Sequence, residues 1–84
     1  MTLAPMETEK KFEHWLRERL AENLRRARRQ RQISQETLGA ECGFHRTYIS
    51  QVERAVTNIT LDNLQTIAAV LDIEPADLLR EQLT

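Results

Sequence analysis

The sequence predicts a small all-α domain. Apolar residues recur at spacings of three and four, and no run alternates between apolar and polar residues as a half-buried strand would. Only two glycines and two prolines occur among 84 residues, which favours long uninterrupted helices. A chain of this length holds one hydrophobic core, so we expect a single domain over residues 1–84, divided into five helices.

The first helix is expected over residues 7–30. Residues 1–6 contain a proline and no periodic pattern, so we expect them to fray. One continuous helix and a break near residues 17–19 both fit the pattern that follows. We interpret Phe12 and Trp15 as core residues, with contact to a second subunit as the alternative. The apolar stripe of this helix consists of Phe12, Trp15, Leu16, Leu20, Leu24 and Ala27.

Charge is distributed unevenly along the chain, whose net charge is −1. Residues 17–54 carry nine Arg against five Glu, a balance of +4, whereas residues 55–84 carry one Arg against five acids, a balance of −4. A basic middle segment indicates a surface for phosphate, with ordinary solvated helix faces as the alternative. Five arginines near the end of the first helix exceed what the helix dipole needs, so we expect some to contact phosphate. They are Arg25, Arg26, Arg28, Arg29 and Arg31.

Two short helices separated by a tight turn follow. Ser34 is a good N-cap for a helix over residues 35–41, and Gly43 supplies a backbone that can turn sharply. The next helix, over about residues 44–54, turns Phe44, Ile49 and Val52 inward and presents Arg46, Thr47, Ser50, Gln51 and Arg54 outward. One guanidinium, one amide and two hydroxyls on an exposed face suit base edges in a DNA major groove. Residues 34–54 therefore have the spacing of a helix-turn-helix.

The last two helices complete the predicted core. Thr60 is the N-cap of the fourth helix, and Pro75 stands at the first position of the fifth. Leu78, Leu79 and Leu83 give the fifth helix one apolar side. The apolar positions of the fourth helix are Leu61, Leu64, Ile67, Ala68 and Leu71.

The residue types argue against several classes of function. Cys42 is the single cysteine, so no intrachain disulfide forms, and His45 has no Cys or carboxylate at a metal-binding spacing. We therefore expect no metal and no cofactor. No nucleophile–base pair, carboxylate pair or Gly-rich phosphate loop is present, so we do not expect an enzyme. No apolar run approaches the roughly 20 residues of a membrane span, and no secretion signal is recognisable, so we expect a cytoplasmic protein without a membrane partner.

One string of residues resembles the lambda-repressor/Cro-like (Xre) family of bacterial regulators over about residues 17–80. The string consists of Ser34-Gln35, Leu38, Gly43, Tyr48-Ile49-Ser50, Glu53-Arg54, Leu64, Ile67-Ala68 and Leu71. Within that family, residues 45–64 look like the controller proteins of restriction–modification systems. Two positions depart from the family pattern. Ala55 stands where Gly is frequent, so we expect a continued helical turn or strain there. Gly39 stands where Ala is usual, which we expect to loosen its helix slightly.

This resemblance implies a five-helix lambda-repressor-like domain that binds double-stranded DNA. A controller protein would bind a palindromic operator as a homodimer and time the expression of restriction–modification genes by autoregulation, with RNA polymerase as a further candidate partner. An antitoxin of a toxin–antitoxin pair and a small phage-type repressor are alternatives within the same DNA-binding class. By resemblance, Arg28 and Glu53 form a structural ion pair between the first and third helices.

The predicted DNA contacts fall into two groups. For base readout we expect Arg46, Thr47, Ser50 and Gln51, with Arg46 donating two hydrogen bonds to guanine O6 and N7; a phosphate contact is the alternative for Arg46. For the DNA backbone we expect Gln35, Ser34, Tyr48, Arg54 and Asn58. Ser34 is chiefly a cap, and the ring of Tyr48 can pack inward while its hydroxyl meets DNA.

A single recognition helix reads only half a site. Tight binding needs two such helices about 34 Å apart on the DNA, so we expect a homodimer. We assign its interface to residues 73–84, through Ile73, Leu78 and Leu79.

Overall fold

A computed structural model describes residues 13–82, which fold into five helices with no strand among them. The helices are α1 (Trp15–Gln30), α2 (Gln35–Cys42), α3 (Arg46–Glu53), α4 (Leu61–Leu71) and α5 (Pro75–Leu79). The predicted all-α class is therefore confirmed. One core lies at the centre, built from Leu20, Ala21, Leu24, Leu38, Ile49, Val52, Leu64, Ile67, Ala68, Leu71 and Leu78.

The first helix begins later than its sequence pattern predicts. Glu13 and His14 are not helical, and α1 begins at Trp15 and continues unbroken through residues 17–19. An uninterrupted helix over residues 7–30 is therefore wrong at these two positions. His14 takes the N-cap position without a side-chain cap hydrogen bond, so no capping side chain fixes the starting residue of α1. Residues 1–12, 83 and 84, and with them the expected roles of Phe12 and Leu83, lie outside the part of the chain that the structure describes.

Two positions assigned to the core lie at the surface instead. The Trp15 residue is 48% exposed and Leu61 is 81% exposed, although both continue the apolar stripes of their helices. Trp15 lies in the first turn of α1 and Leu61 begins α4. A periodic stripe identifies the apolar face of a helix but does not show how far the neighbouring helices cover it. The assignment of Trp15 to the core was therefore wrong.

The predicted caps and turns are confirmed. The Ser34 hydroxyl accepts a hydrogen bond from the Thr37 N–H at 2.9 Å, and the Thr60 hydroxyl accepts one from the Asn63 N–H at 3.0 Å. Each satisfies an N–H that the first turn of a helix leaves without a backbone partner. Gly43 ends α2 with φ of 80°, in the left-handed region that glycine adopts without steric cost.

Gly39 has a packing role that we did not predict. A Cβ atom placed there would lie 2.8 Å from the carbonyl oxygen of Phe44, closer than van der Waals contact allows. The Phe44 N–H donates to the Gly39 carbonyl at 2.8 Å, so the turn after α2 folds directly against this glycine. Gly39 therefore admits the close approach of the turn, and the expected loosening of α2 stays a prediction.

Asn23 of α1 and Arg31, the residue that caps the C-terminal end of α1, hold the C-terminal helices in place. The Asn23 amide donates to the carbonyl oxygens of Leu78, at 2.9 Å, and Arg80, at 2.8 Å, at the end of α5. Arg31 donates to the Leu71 carbonyl oxygen at 2.9 Å, at the end of α4. These bonds satisfy carbonyls that a helix end leaves open. Leu78 is part of the core and is 0% exposed in the monomer. Its assignment to a dimer interface was therefore wrong.

Candidate nucleic-acid interface

The C-terminal end of α3 is fixed by a buried ion pair. Arg28 of α1 donates to the Glu53 carboxylate through Nε, at 2.6 Å, and Nη2, at 3.0 Å. The Gln35 amide donates to the same carboxylate at 3.1 Å, and Glu53 is only 3% exposed. Hydrogen bonding to Glu53 raises the pKa of the Arg28 guanidinium, which burial opposes and the carboxylate charge reinforces. The ion pair expected from the family resemblance is confirmed, and it joins α1, α2 and α3.

Most of the arginine cluster serves the fold. Arg25 donates to the Glu53 carbonyl oxygen, which places a cation at the negative end of the α3 dipole. Arg28 and Arg31 are also bonded to their own chain, as described above. Arg26 is exposed and lies 3.2 Å from the Glu22 carboxylate one turn away on α1. Arg29 is exposed. A contact with phosphate stays a prediction for these last two residues.

The inner face of α3 packs against the core. Ile49 and Val52 are buried. The rings of Phe44 and Tyr48 lie 5.1 Å apart at an angle of 76°, in the edge-to-face arrangement that aromatic pairs favour. The Tyr48 hydroxyl accepts a hydrogen bond from the Asn63 amide of α4 at 2.9 Å. The ring and one hydroxyl lone pair of Tyr48 therefore serve the fold, and the hydroxyl hydrogen is left for another acceptor.

The outer face of α3 presents four polar side chains together. Arg46 and Thr47 are exposed, and Ser50 and Gln51, one turn further on, are partly exposed. None of the four makes a side-chain hydrogen bond with any residue between 13 and 82. Positions that are four apart lie on one side of a helix, so these residues form a single surface. Their donors and acceptors are of the kinds that base edges match.

The residues predicted to contact the DNA backbone have different environments. The Ser34 hydroxyl is engaged with Thr37, and one amide hydrogen of Gln35 is engaged with Glu53. Gln35 keeps a second amide hydrogen for an outside acceptor. Arg54, the C-cap of α3, and Asn58, in the connector to α4, are both exposed. Three of the predicted backbone residues thus have donors facing outward in addition to any structural role.

Among the polar contacts that sequence reasoning missed, three differ in how far a local pattern could have indicated them. They are the bond from Arg25 to the end of α3, the bond from Asn63 to Tyr48, and the two bonds from Asn23 to α5. A polar residue on the apolar face of α1 was a signal for Asn23, because it interrupts the stripe one residue before Leu24. The other two depend on how the helices cross, which no local pattern reveals.

Other kinds of site find no support in residues 13–82. No group of three or more His, Cys, Asp and Glu side chains there is placed to hold a metal ion. None of the helices described is both long and apolar enough to cross a membrane. Cys42 is half-buried; burial raises the pKa of its thiol, and the Glu41 carboxylate adds to that rise. Because the thiolate is the reactive form, this cysteine is a poor nucleophile at neutral pH.

Comparison with known proteins identifies close relatives. The Control protein C.BamHI from Bacillus amyloliquefaciens is 51% identical over 47 residues, which span 56% of this chain and 58% of that protein. The Control protein C.SmaI from Serratia marcescens is 43% identical over 67 residues, which span 80% of each chain. The chain thus covers less than two thirds of the Bacillus relative and most of the Serratia relative.

Two solved structures share the fold. The hypothetical transcription factor NHTF from Neisseria superimposes with a TM-score of 0.75 at 45% identity, over 77% of this chain and 75% of that one. The restriction-modification controller protein C.AhdI from Aeromonas hydrophila gives 0.74 at 37% identity, over 77% of this chain and 94% of that one. A family model described as Helix-turn-helix matches residues 24–78. The chain therefore belongs to the helix-turn-helix family, as a DNA-binding transcription regulator related to the controller proteins of restriction–modification systems.

Proposed function

We propose that this protein is itself a controller protein. It binds a palindromic operator as a homodimer and times the expression of restriction–modification genes by regulating its own promoter in the cytoplasm. The observation that carries the proposal is the outer face of α3, where Arg46, Thr47, Ser50 and Gln51 are free of bonds to the rest of the described chain. The similarity to proteins named control proteins and to a restriction-modification controller supports the choice of regulated genes.

Sequence readout rests mainly on the N-terminal end of α3. Arg46 carries a planar fork of donors that fits guanine O6 and N7 in the major groove. Thr47, next to it, offers a methyl group to thymine or a hydroxyl to a base edge. Ser50 and Gln51 lie one turn further on and reach bases or the backbone. Each well-formed bidentate contact contributes about 1–3 kcal/mol of discrimination between bases.

Phosphate contacts fix the register of α3 on the duplex. Gln35 is suited to this role because its free amide hydrogen lies at the N-terminal end of α2, where helix N–H groups and the helix dipole favour anions. Arg54 and Asn58 are exposed at and beyond the other end of α3. Ser34 and the hydroxyl hydrogen of Tyr48 are secondary candidates, because each oxygen already has a partner within the protein. Such contacts orient the protein without selecting a sequence.

A homodimer supplies the second recognition helix. Two helices about 34 Å apart read the two halves of a palindrome on the same face of the DNA. Ile73 and Leu79 of the originally assigned interface are only partly buried in one copy, so each keeps surface that a second copy can cover. The five acidic side chains within residues 55–84 are then directed toward protein and away from phosphate.

The test is a gel-shift titration with the DNA directly upstream of the protein's own gene. We expect tight binding to a palindrome in that DNA, and loss of tight binding when either half of the palindrome is scrambled. The matched variants are Arg46→Ala on α3 and Arg26→Ala on α1, which remove the same charge from different faces. Arg46→Ala should relax the preference for one base pair in each half-site, while Arg26→Ala should keep that preference. Equal affinity for operator and scrambled DNA would overturn the proposal.

A further inference from the structure

Two arginines on the same surface of α1 carry charges that nothing in the described chain neutralises. No carboxylate of residues 13–82 forms an ion pair with Arg25 or with Arg29. The Arg25 side chain donates only to a neutral carbonyl oxygen at the end of α3. Arg29 is exposed and makes no side-chain hydrogen bond in the same part of the chain. Their neighbours Arg26 and Arg28, by contrast, are each paired with a glutamate.

The two uncompensated side chains line one shallow depression, which we call the α1 depression. Its volume is about 410 Å³, and its lining consists of Glu22, Arg25, Arg26, Arg29 and Gln30. Three Arg minus one Glu leave this lining with a charge of +2, because Glu22 pairs with Arg26 only. Like charges four positions apart on a helix repel each other. An anion bound between Arg25 and Arg29 would remove that repulsion.

The α1 depression borders the C-terminal end of α3. The Arg25 guanidinium donates to the Glu53 carbonyl oxygen, and the next residue, Arg54, is exposed and caps the helix. This bond uses only one of the N–H groups of Arg25, so the others are left for an outside acceptor. A polar, cationic surface therefore continues from the outer side of α1 to the end of the recognition helix.

The length of α3 brings this end close to a DNA backbone. The helix has eight residues, so it is about 12 Å long, which is about the width of the major groove. If the N-terminal end of α3 reads base edges, its C-terminal end reaches the rim of the groove, where the phosphates lie. An acidic protein would also offer negative charge, but a duplex read by α3 brings its own phosphates to this position.

We propose that the α1 depression binds a backbone phosphate of the operator, held between Arg29 and the free N–H groups of Arg25. The inference rests on the proposed function, because it needs α3 in the major groove. It adds a contact from α1 to the phosphate contacts proposed for Gln35 and Arg54. Because Arg25 donates to the end of α3 at the same time, the contact joins the DNA backbone to the recognition helix.

Arg29→Ala tests the contact, because the fold within residues 13–82 makes no use of this side chain. Binding to the operator and to an unrelated duplex is measured over a series of salt concentrations. We expect the slope of log affinity against log salt concentration to become less steep by about 0.9 for each bound copy of the chain, because one phosphate contact is lost. The preference for operator over unrelated DNA should be unchanged, since a phosphate contact carries no sequence information.

Arg19→Ala is the matched control on the same helix. Arg19 also has no ion pair within the described residues, but it stacks on the Trp15 ring at 4.8 Å and does not line the α1 depression. It lies about 15 Å from Arg29 along the helix axis. Its variant should keep the slope of the unmodified protein. Arg29→Lys retains the charge and should restore most of the slope, and circular dichroism verifies that every variant keeps its helices.

A neutral linkage in the DNA locates the phosphate. Operators are prepared in which one methylphosphonate replaces one charged linkage, at each position of a half-site in turn. For the unmodified protein, we expect weaker binding when the phosphate beside the C-terminal end of α3 is neutralised. The same DNA change should have little further effect on Arg29→Ala, because the two changes remove one and the same contact.

Three results would overturn the inference. A folded Arg29→Ala protein that keeps the salt slope would show that Arg29 binds no phosphate. An equal change of slope in Arg19→Ala would assign the effect to the overall charge of α1. Methylphosphonate losses that are identical in Arg29→Ala and in the unmodified protein would show that no phosphate depends on Arg29.

The same titrations separate this inference from the proposed function. A slope that Arg29→Ala makes less steep, in a protein that does not distinguish operator from scrambled DNA, would refute the function alone. A clear preference for the operator, with a slope that Arg29→Ala leaves unchanged, would refute the phosphate contact alone.

Discussion

The two ends of α3 differ in how they are bonded to the rest of the protein. At the C-terminal end, the Glu53 carboxylate accepts three hydrogen bonds from Arg28 and Gln35, and its carbonyl oxygen accepts one from Arg25. At the N-terminal end, the N-cap residue makes no side-chain cap bond, and Arg46 and Thr47 face solvent. The helix is thus fixed at one end and exposes unpaired polar groups at the other.

The C-terminal end of α3 therefore contributes to stability and its N-terminal end to DNA recognition, although the helix has only eight residues. A buried carboxylate is tolerated only when cations and donors compensate its lost hydration, so the C-terminal end must be closely bonded. A side chain that reads bases must exchange water for DNA, and a strong partner within the protein would compete with the base. Substitutions at the two ends should therefore affect different measurements.

The largest effect is expected from Glu53→Ala. It leaves the Arg28 guanidinium partly buried without its carboxylate and frees the Gln35 amide, so we expect a loss of about 3 kcal/mol in the free energy of unfolding. Chemical denaturation and the melting temperature measure it.

Arg26→Ala is the control for this substitution. It breaks an exposed ion pair within α1 and should cost less than about 0.5 kcal/mol. A Glu53→Ala protein as stable as this control would show that the ion pair does not hold α3 in place.

The next largest effect is expected in DNA-binding affinity and not in stability. Arg46→Ala should weaken binding to the operator by about 1–3 kcal/mol, or roughly five- to 160-fold, because a bidentate base contact is lost. The melting temperature should stay unchanged, since this side chain has no bond to the rest of residues 13–82. Binding isotherms at fixed salt, on the operator and on unrelated DNA, separate the two kinds of contact. An equal loss on both DNAs would reassign Arg46 to phosphate.

The sequence predicted local features of this fold well. The inward positions Ile49 and Val52, the caps at Ser34 and Thr60, and the turn at Gly43 each depend on a few adjacent residues, and all are confirmed. The four readout residues share one face of α3, as their spacing requires. The pairing of Arg28 with Glu53 spans 25 positions, and only the family resemblance indicated it.

The features that were missed depend on how the helices are arranged in space. Trp15 and Leu78 belong to equally good apolar stripes, yet one lies at the surface and the other is fully buried, because the other helices cover α5 but not the first turn of α1. Arg25 resembles its neighbours in a cationic run, and only the tertiary structure brings the end of α3 beside it. Periodicity identifies faces, and tertiary packing decides which of them are covered.

Tyr48 lies between the two ends of α3. Its substitution tests whether this position contributes to stability, as the C-terminal end does, or to DNA binding, as the N-terminal end does. Tyr48→Phe keeps the ring contact with Phe44 but removes the oxygen that accepts from Asn63, so we expect a loss of about 1 kcal/mol in stability. Operator affinity should be unchanged if the hydroxyl serves only the fold. Affinity that falls while stability is unchanged would assign the hydroxyl to the DNA backbone. Asn63→Ala is the control, because it removes the same bond from the α4 side.

The smallest effect on stability is expected at Ala55, just beyond the C-terminal end of α3. Its φ of 61° lies in the left-handed region, which a Cβ atom disfavours, while its N–H still donates to the Val52 carbonyl at 3.1 Å. Ala55→Gly should relieve that strain and stabilise the fold by about 0.5–1 kcal/mol, after subtracting the greater entropy of glycine in the unfolded chain.

Ala69→Gly is the matched control for Ala55→Gly, because it makes the same substitution inside α4, at an exposed position. There the change should destabilise the fold by up to about 1 kcal/mol, since the backbone is helical and alanine is favoured. Opposite signs in the two denaturation midpoints would show that the turn leaving α3 is strained. Because that turn follows the closely bonded Glu53, relieving the strain should leave the α3 outer face and its operator affinity unchanged. An altered affinity would mean that the strain itself sets the angle of α3, and the two ends of the helix would then not be independent.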